Sequence, residues 1–278
     1  MVTADKLIQD LDFETIFKEE VLSSDERICA YEKKKEELEH TFRELSERLK
    51  GAPLEKGIMD YIDEHYHKKE DLFYGEDEVV TKAHCEDAHR LVSILAREVY
   101  GDSESAKRDI KLVEWAAVAH DVAKSIFPPE ILYKMVEPDE SELSYFKAHP
   151  IISYYMLKDI PVLEEVNRIV LYHEEFHDGK GPVERFVNHA LEILKEKKRI
   201  SRLVRPIRIR RRKIPKGAMI LAVADAYASM VSRNYTEEDI IQEFEKQLAK
   251  PKGEREFDPK YLKIGLNIIR EGRLRETA

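Results

Sequence analysis

The chain is short of several things. It has two cysteines in 278 residues, Cys29 and Cys85, and their spacing suits neither a disulfide framework nor a zinc motif, which points to a reducing compartment. No stretch approaches the roughly 18 consecutive apolar residues of a membrane helix, so no membrane partner is expected. The opening MVTADKLIQDLDFET lacks the basic-then-apolar order of a signal peptide, and the expected location is cytoplasmic. Net positive charge is missing: 47 Lys and Arg face 56 Asp and Glu, a balance of −9 that argues against nonspecific nucleic-acid binding by the whole molecule. Convincing strands are also absent. Only the alternation in RPIRIRRRKIP, residues 205–215, could make a short hairpin arm.

What remains is helical. Apolar content of 42% supports a packed core, and apolar residues recur at helical spacing, so the fold class is all-α. Residues 1–75 read as an N-terminal helical region. One of its helices, capped by Ser24-Asp25 and stopped at Gly51, has a seam of Ile28, Tyr31, Leu38, Phe42, Leu45 and Leu49, interrupted by Lys35. The seam either packs on its own domain or pairs with a second copy as a homodimer. The main domain is placed at 76–278.

Its helices share an oddity. Over 84–96 the stripe of Ala88, Leu91 and Leu95 includes His84. Over 108–121, Ile110, Val113 and Ala117 lead to adjacent His120 and Asp121. Over 141–158, Phe146 lies one turn before His149, and Pro150 is expected to break or restart the helix. Over 162–176, Leu163, Val166 and Val170 lead to His173. Over 216–231, Ala218 and Leu221 share a face with Asp225. Each helix therefore aims a metal-competent side chain along its inward stripe.

Taken singly, a histidine on an apolar stripe is an ordinary core residue. Taken together, four buried histidines and two buried aspartates would each need a private partner, and a shared divalent metal centre satisfies them at once. Imidazole and carboxylate without thiolate suit Fe, Mn, Ni, Co or Zn better than Ca. If Asp121 bridges two ions, one takes His84, His120, Asp121 and Asp225, and the other adds His149 and His173. Such a pair would hold a hydroxide and stabilise displacement at phosphorus. Lys124, one turn after Asp121, could reach a substrate phosphate.

These residues carry a resemblance. From about 76 to 270 the chain resembles the HD superfamily of metal-dependent phosphohydrolases, and within it the HD-GYP phosphodiesterases. HCEDAHRLVSILA (84–96) is similar to the first ligand helix, and HDVAK (120–124) to HDxGK with Ala123 in place of glycine. PPEIL (128–132), AHP (148–150), VADAYASM (223–230), SRNY (232–235) and FDP (257–259) follow in order. YHEEFHDGKGP (172–182) resembles HHExxDGxGYP, with departures: Tyr172-His173 stands for the histidine pair, one extra residue precedes Asp178, and the tyrosine of GYP is missing. His177 lies four residues after His173 and shares its face if the helix continues. Trimetal members carry a glutamate where Val80 stands, so a third ion is not expected.

The resemblance implies an HD-domain helical fold holding one or two divalent ions. It also implies a phosphodiesterase acting through metal-bound hydroxide on a cyclic nucleotide or other nucleotide-like phosphate ester. Lys124, Lys180 and Arg233 would bind substrate, with His177 and Asp178 as candidate proton donors. The eroded GYP leaves cyclic di-GMP itself open. The other reading is a catalytically degenerate signalling or binding module. The basic insert at about 184–216, in which residues 195–216 hold 12 Lys or Arg and one Glu, would then dock nucleic acid or an acidic partner.

Overall fold

A computed structural model describes residues 79–127, 139–158, 160–177, 181–183, 185–186, 190 and 214–275. These form seven α-helices and no strand among the described residues. They are α1 (Val79–Tyr100), α2 (Glu104–Ala119), α3 (Glu140–Leu157), α4 (Glu164–Tyr172), α5 (Lys216–Ser232), α6 (Glu237–Ala249) and α7 (Pro259–Arg270), with short 3₁₀ turns at Val122–Ile126 and Pro161–Leu163. The all-α expectation stands. The N-terminal region 1–75, the segment 128–132 and most of the basic insert lie outside the described residues.

Local chemistry sets the boundaries. Ser103 caps α2, its hydroxyl accepting from the Ala106 amide at 3.1 Å, and Glu104 adds negative charge at the positive end of the helix. Thr236 and Asp239 form a capping box on α6. The FDP turn is an N-cap: Asp258 accepts from the Lys260 amide at 2.8 Å, and Pro259 occupies the first helical position, where no N–H is needed.

α5 is the central helix, packed across α1 and α2 and touching α4, while α3 lies on α4 and on the turn at Val122–Ile126. Gly217 allows the start of α5 to approach, because a Cβ there would lie 2.8 Å from Ile169 on α4 and from Val113 on α2. Trp115 and the alanines at 116, 117 and 119 are fully buried beside Leu91, Leu95, Leu221 and Val223. Each fully buried large apolar side chain of this core stabilises the fold by about 1.5–3 kcal/mol. Small residues along α2 bring α1, α4 and α5 close enough for their polar ends to meet. No described helix is long and apolar enough to cross a membrane.

Candidate metal centre

The centre is built from helix ends. α2 stops at Ala119, His120 is its C-cap, and Asp121 lies just beyond. α4 stops at Tyr172 with His173 as C-cap. A helix end leaves carbonyls without a partner. His120 Nδ1 takes the Ala117 carbonyl at 2.8 Å, and His173 Nδ1 takes the Val170 carbonyl at 2.6 Å. α3 achieves the same in mid-helix. It runs through Pro150 rather than breaking there, which corrects the expectation. Proline has no N–H to offer the carbonyl four residues back, that of Phe146, and His149 Nδ1 takes it at 2.5 Å. The AHP tripeptide thus aims an imidazole by removing a competing donor.

These contacts fix the ring orientations. In a neutral ring with Nδ1–H donating to backbone, as in His149 and His173, Nε2 carries the lone pair. Burial pulls His149 down to about 3 and His173 down to about 4, so both rings are neutral at pH 7. Yet their Nε2 atoms lie 2.9 Å apart, two acceptors facing each other. His84 Nε2 lies 3.2 Å from His120 Nε2 and 3.0 Å from Asp225 Oδ1. Asp121 Oδ1 is buried without a hydrogen-bond donor, 3.2 Å from His149 Nε2. Converging lone pairs and an orphaned carboxylate oxygen are what a divalent cation satisfies, and the donor set fits one.

The donors fall into overlapping groups whose ligand atoms lie within 4.8 Å of one another: His84, His120 and Asp225; Asp121, His149 and His173. Two further groups add residues that the sequence did not single out as metal donors. One is Cys85, His120 and Asp121; the other is His173, Glu174 and Asp225. Cys85 is fully buried behind His120, and its contact came from α1 packing on α2, which cysteine spacing does not encode. The signal for Glu174 was its place directly after His173 at a helix end. Ser153 was also missed. Its hydroxyl donates to the His120 carbonyl at 2.8 Å and accepts from the Ala123 amide at 3.1 Å, fastening the turn that carries Asp121 to α3.

Charges in the centre are strongly coupled. Burial opposes ionisation of Asp121, but Lys124, His120, His149 and His84 outweigh it and hold the carboxyl far below its usual range. Burial likewise opposes the charged form of His120, and Asp121, Cys85 and Asp225 overcome it, raising the ring well above its ordinary value. Lys124 forms a short ion pair with Asp121 Oδ2. Burial pushes the Glu174 carboxyl up to about 8, with Asp225 adding to the rise.

Above the donors opens a cleft of about 580 Å³. Lys124, His149, His173, Glu174 and Asp225 line its floor. Phe146, Phe186 and Phe257 line its walls, and Lys147, Arg185 and Arg233 lie around it. His177 is not part of it. Because α4 ends at Tyr172, the helical face that His177 was to share does not extend that far. His177 is instead exposed, with Nδ1 3.5 Å from Asp258. Tyr172 is buried in the hydrophobic core. Asp178 and Lys180 lie outside the described residues. Lys216, which closes the basic insert, is docked on the end of α1, its ammonium 3.9 Å from the centre of the Tyr100 ring.

The HD domain family model matches residues 81–230, from the helix bearing His84 to the one bearing Asp225. The chain belongs to the HD domain family. The chain is 28% identical over 160 residues to the cyclic di-GMP phosphodiesterase response regulator RpfG of Xanthomonas campestris pv. campestris (strain 8004), covering 56% of this chain and 35% of that protein. It is 31% identical over 157 residues to a cyclic di-GMP phosphodiesterase of Thermotoga maritima, covering 55% of this chain and 35% of the relative. The chain thus spans about a third of the length of these relatives.

Proposed function

We propose that this HD domain protein is a metal-dependent phosphohydrolase, and more narrowly a phosphodiesterase for a cyclic nucleotide or other nucleotide-like phosphate ester. The observation that carries the reading is the convergence of imidazole Nε2 atoms on buried Asp121, beneath a cleft lined by His149, His173, Asp225 and four cations. His84, His120, Asp121 and Asp225 would hold one ion, and Asp121, His149 and His173 a second. Fe, Mn, Ni, Co and Zn suit these donors. Bound there, such ions polarise a phosphoryl oxygen and lower the pKa of water.

The chain's own residues do the rest. Backbone carbonyls at 117, 146 and 170 hold the three rings in one orientation, so no reorientation is needed when substrate arrives. Lys124, Arg185 and Arg233 can neutralise phosphate oxygens from the cleft side. The phenylalanine walls offer faces on which a base can stack. A cleft of about 580 Å³ is within the range of small-molecule sites. Similarity to two cyclic di-GMP phosphodiesterases supports a cyclic dinucleotide as the first substrate to try.

The test is metal analysis of the purified protein, then hydrolysis of bis(4-nitrophenyl) phosphate, 4-nitrophenyl phosphate and cyclic di-GMP with Mn²⁺. The diesters should turn over faster than the monoester, and Asp121→Ala should abolish both turnover and metal retention. A fully metal-loaded protein that cleaves none of the three would overturn the phosphohydrolase reading in favour of a binding or signalling module.

A further inference from the structure

We infer that Glu174 is itself a metal ligand, completing the second ion position with a carboxylate where the family's motif places an imidazole. The inference rests on the metal-dependent reading above and adds to it a ligand and a change of metal preference.

Three observations converge. First, α4 ends at Tyr172 and directs that side chain into the core, so Tyr172 is not half of a ligand pair. The cleft is lined by the run His173 to Phe176, and of these four residues His173 and Glu174 fall together in a group of potential metal donors. Second, a ligand oxygen of Glu174 lies within 4.8 Å of donors from both His173 and Asp225. His173 belongs to the group around Asp121 and His149, and Asp225 to the group around His84 and His120. Glu174 therefore sits where the two groups meet. Its side chain is 31% exposed and lines the cleft. Third, the loop after it fits this register. Glu175 is buried and its Oε1 accepts from the Gly181 amide at 2.5 Å, closing the loop on itself. A Cβ at Gly181 would clash with the Phe176 backbone nitrogen and lie 2.9 Å from Glu175 Cα, so this close approach needs glycine.

With His173-Glu174 taken as the pair, HEEFHDGKG follows HHExxDGxG residue for residue. The extra residue before Asp178 disappears, and the buried Glu175 becomes the motif's glutamate. The chemical content of the change is one imidazole exchanged for one carboxylate. A harder, anionic donor shifts an N/O site from Zn²⁺ toward Mn²⁺ and Mg²⁺.

The experiment uses the full chain, stripped with chelator and reloaded, with Glu174→Ala, Glu174→Gln and Glu174→His. Ions per chain are measured by elemental analysis after desalting, and Mn²⁺ and Zn²⁺ affinities by calorimetry. Wild type is expected to bind two ions. The Ala and Gln variants should keep one and bind the other at least about tenfold more weakly. Glu174→His should keep both and move the second toward Zn²⁺. Gln matches Glu in shape, so a loss with Gln at an unchanged metal-free melting temperature reports ligation rather than packing. Two ions held by the Ala and Gln variants with wild-type affinity would overturn the assignment of Glu174 alone. No ion held by wild type would instead overturn the metal-dependent reading beneath it.

Discussion

At the residue scale, His149 and His173 are held neutral before any ion arrives. His149 and His173 lie far below the usual imidazole value of 6.5, chiefly through burial. The sign of the consequence follows. A histidine whose folded pKa is depressed binds fewer protons folded than unfolded, so stability falls as pH drops below 6.5. The loss accumulates until the folded rings titrate, near 4 and then 3. His120, raised by Asp121, Cys85 and Asp225, acts oppositely: its contribution is full below 6.5 and fades only as pH rises through its own elevated value. Chelator-treated protein should therefore melt at progressively lower temperature as the buffer is taken from pH 6.5 to 4, and a flat profile would contradict the neutral assignment of the two rings. Lys124 gives a second prediction. It is the largest favourable influence on the buried Asp121. Lys124→Gln should destabilise the metal-free protein by about 3 kcal/mol, and Mn²⁺ should recover most of it, as read by melting with and without ion. The six candidate donors were legible as residue types on apolar stripes. Glu174 and Cys85 were not, because their places beside those donors depend on where α4 stops and on how α1 meets α2.

At the element scale, the decisive features are helix ends, and these were the least legible. Periodicity over 162–176 does not show that α4 stops at Tyr172, because the residues beyond are compatible with either helix or turn. The same helix end decides His177, which would share the His173 face only if α4 continued, and it does not. Pro150, expected to break or restart α3, lies inside it and frees a carbonyl for His149. This separates metal affinity from helix stability. Pro150→Ala restores an N–H that competes for the Phe146 carbonyl, releasing the ring. Metal affinity should fall by about tenfold, while the metal-free melting temperature stays level or rises, since alanine favours the helix interior. A fall in melting temperature with affinity intact would contradict this account. Ser153→Ala should do the reverse. It strands the Ala123 amide and loses the donor to the His120 carbonyl, at a cost of about 2 kcal/mol, and loosens the Asp121 turn.

At the scale of the whole molecule, an acidic chain gathers cations at one cleft. The net charge is −9, and Lys124, Lys147, Arg185 and Arg233 line one opening together with Glu174, Glu175, Asp225 and Glu256. An anionic substrate is repelled by the molecule at long range and is held in the cleft by the individual cations, where low-dielectric walls strengthen each contact. Overall composition concealed this, because the sequence scatters the four cations over about 110 positions and α3, α5 and the Pro182–Phe186 segment bring them together. Arg233 is the clearest lever: it follows the C-terminus of α5, is exposed, and holds no ligand position. For a phosphodiester substrate, kcat/KM of the wild type should fall as salt rises from 50 to 300 mM, conditions under which the screening length shrinks to below roughly 10 Å. Arg233→Ala should raise KM by about fivefold, leave kcat nearly unchanged, and flatten the salt dependence, the pattern of lost uniform binding. A drop in kcat with KM unaltered would instead place Arg233 at the reacting phosphate, where its interaction forms only in the transition state.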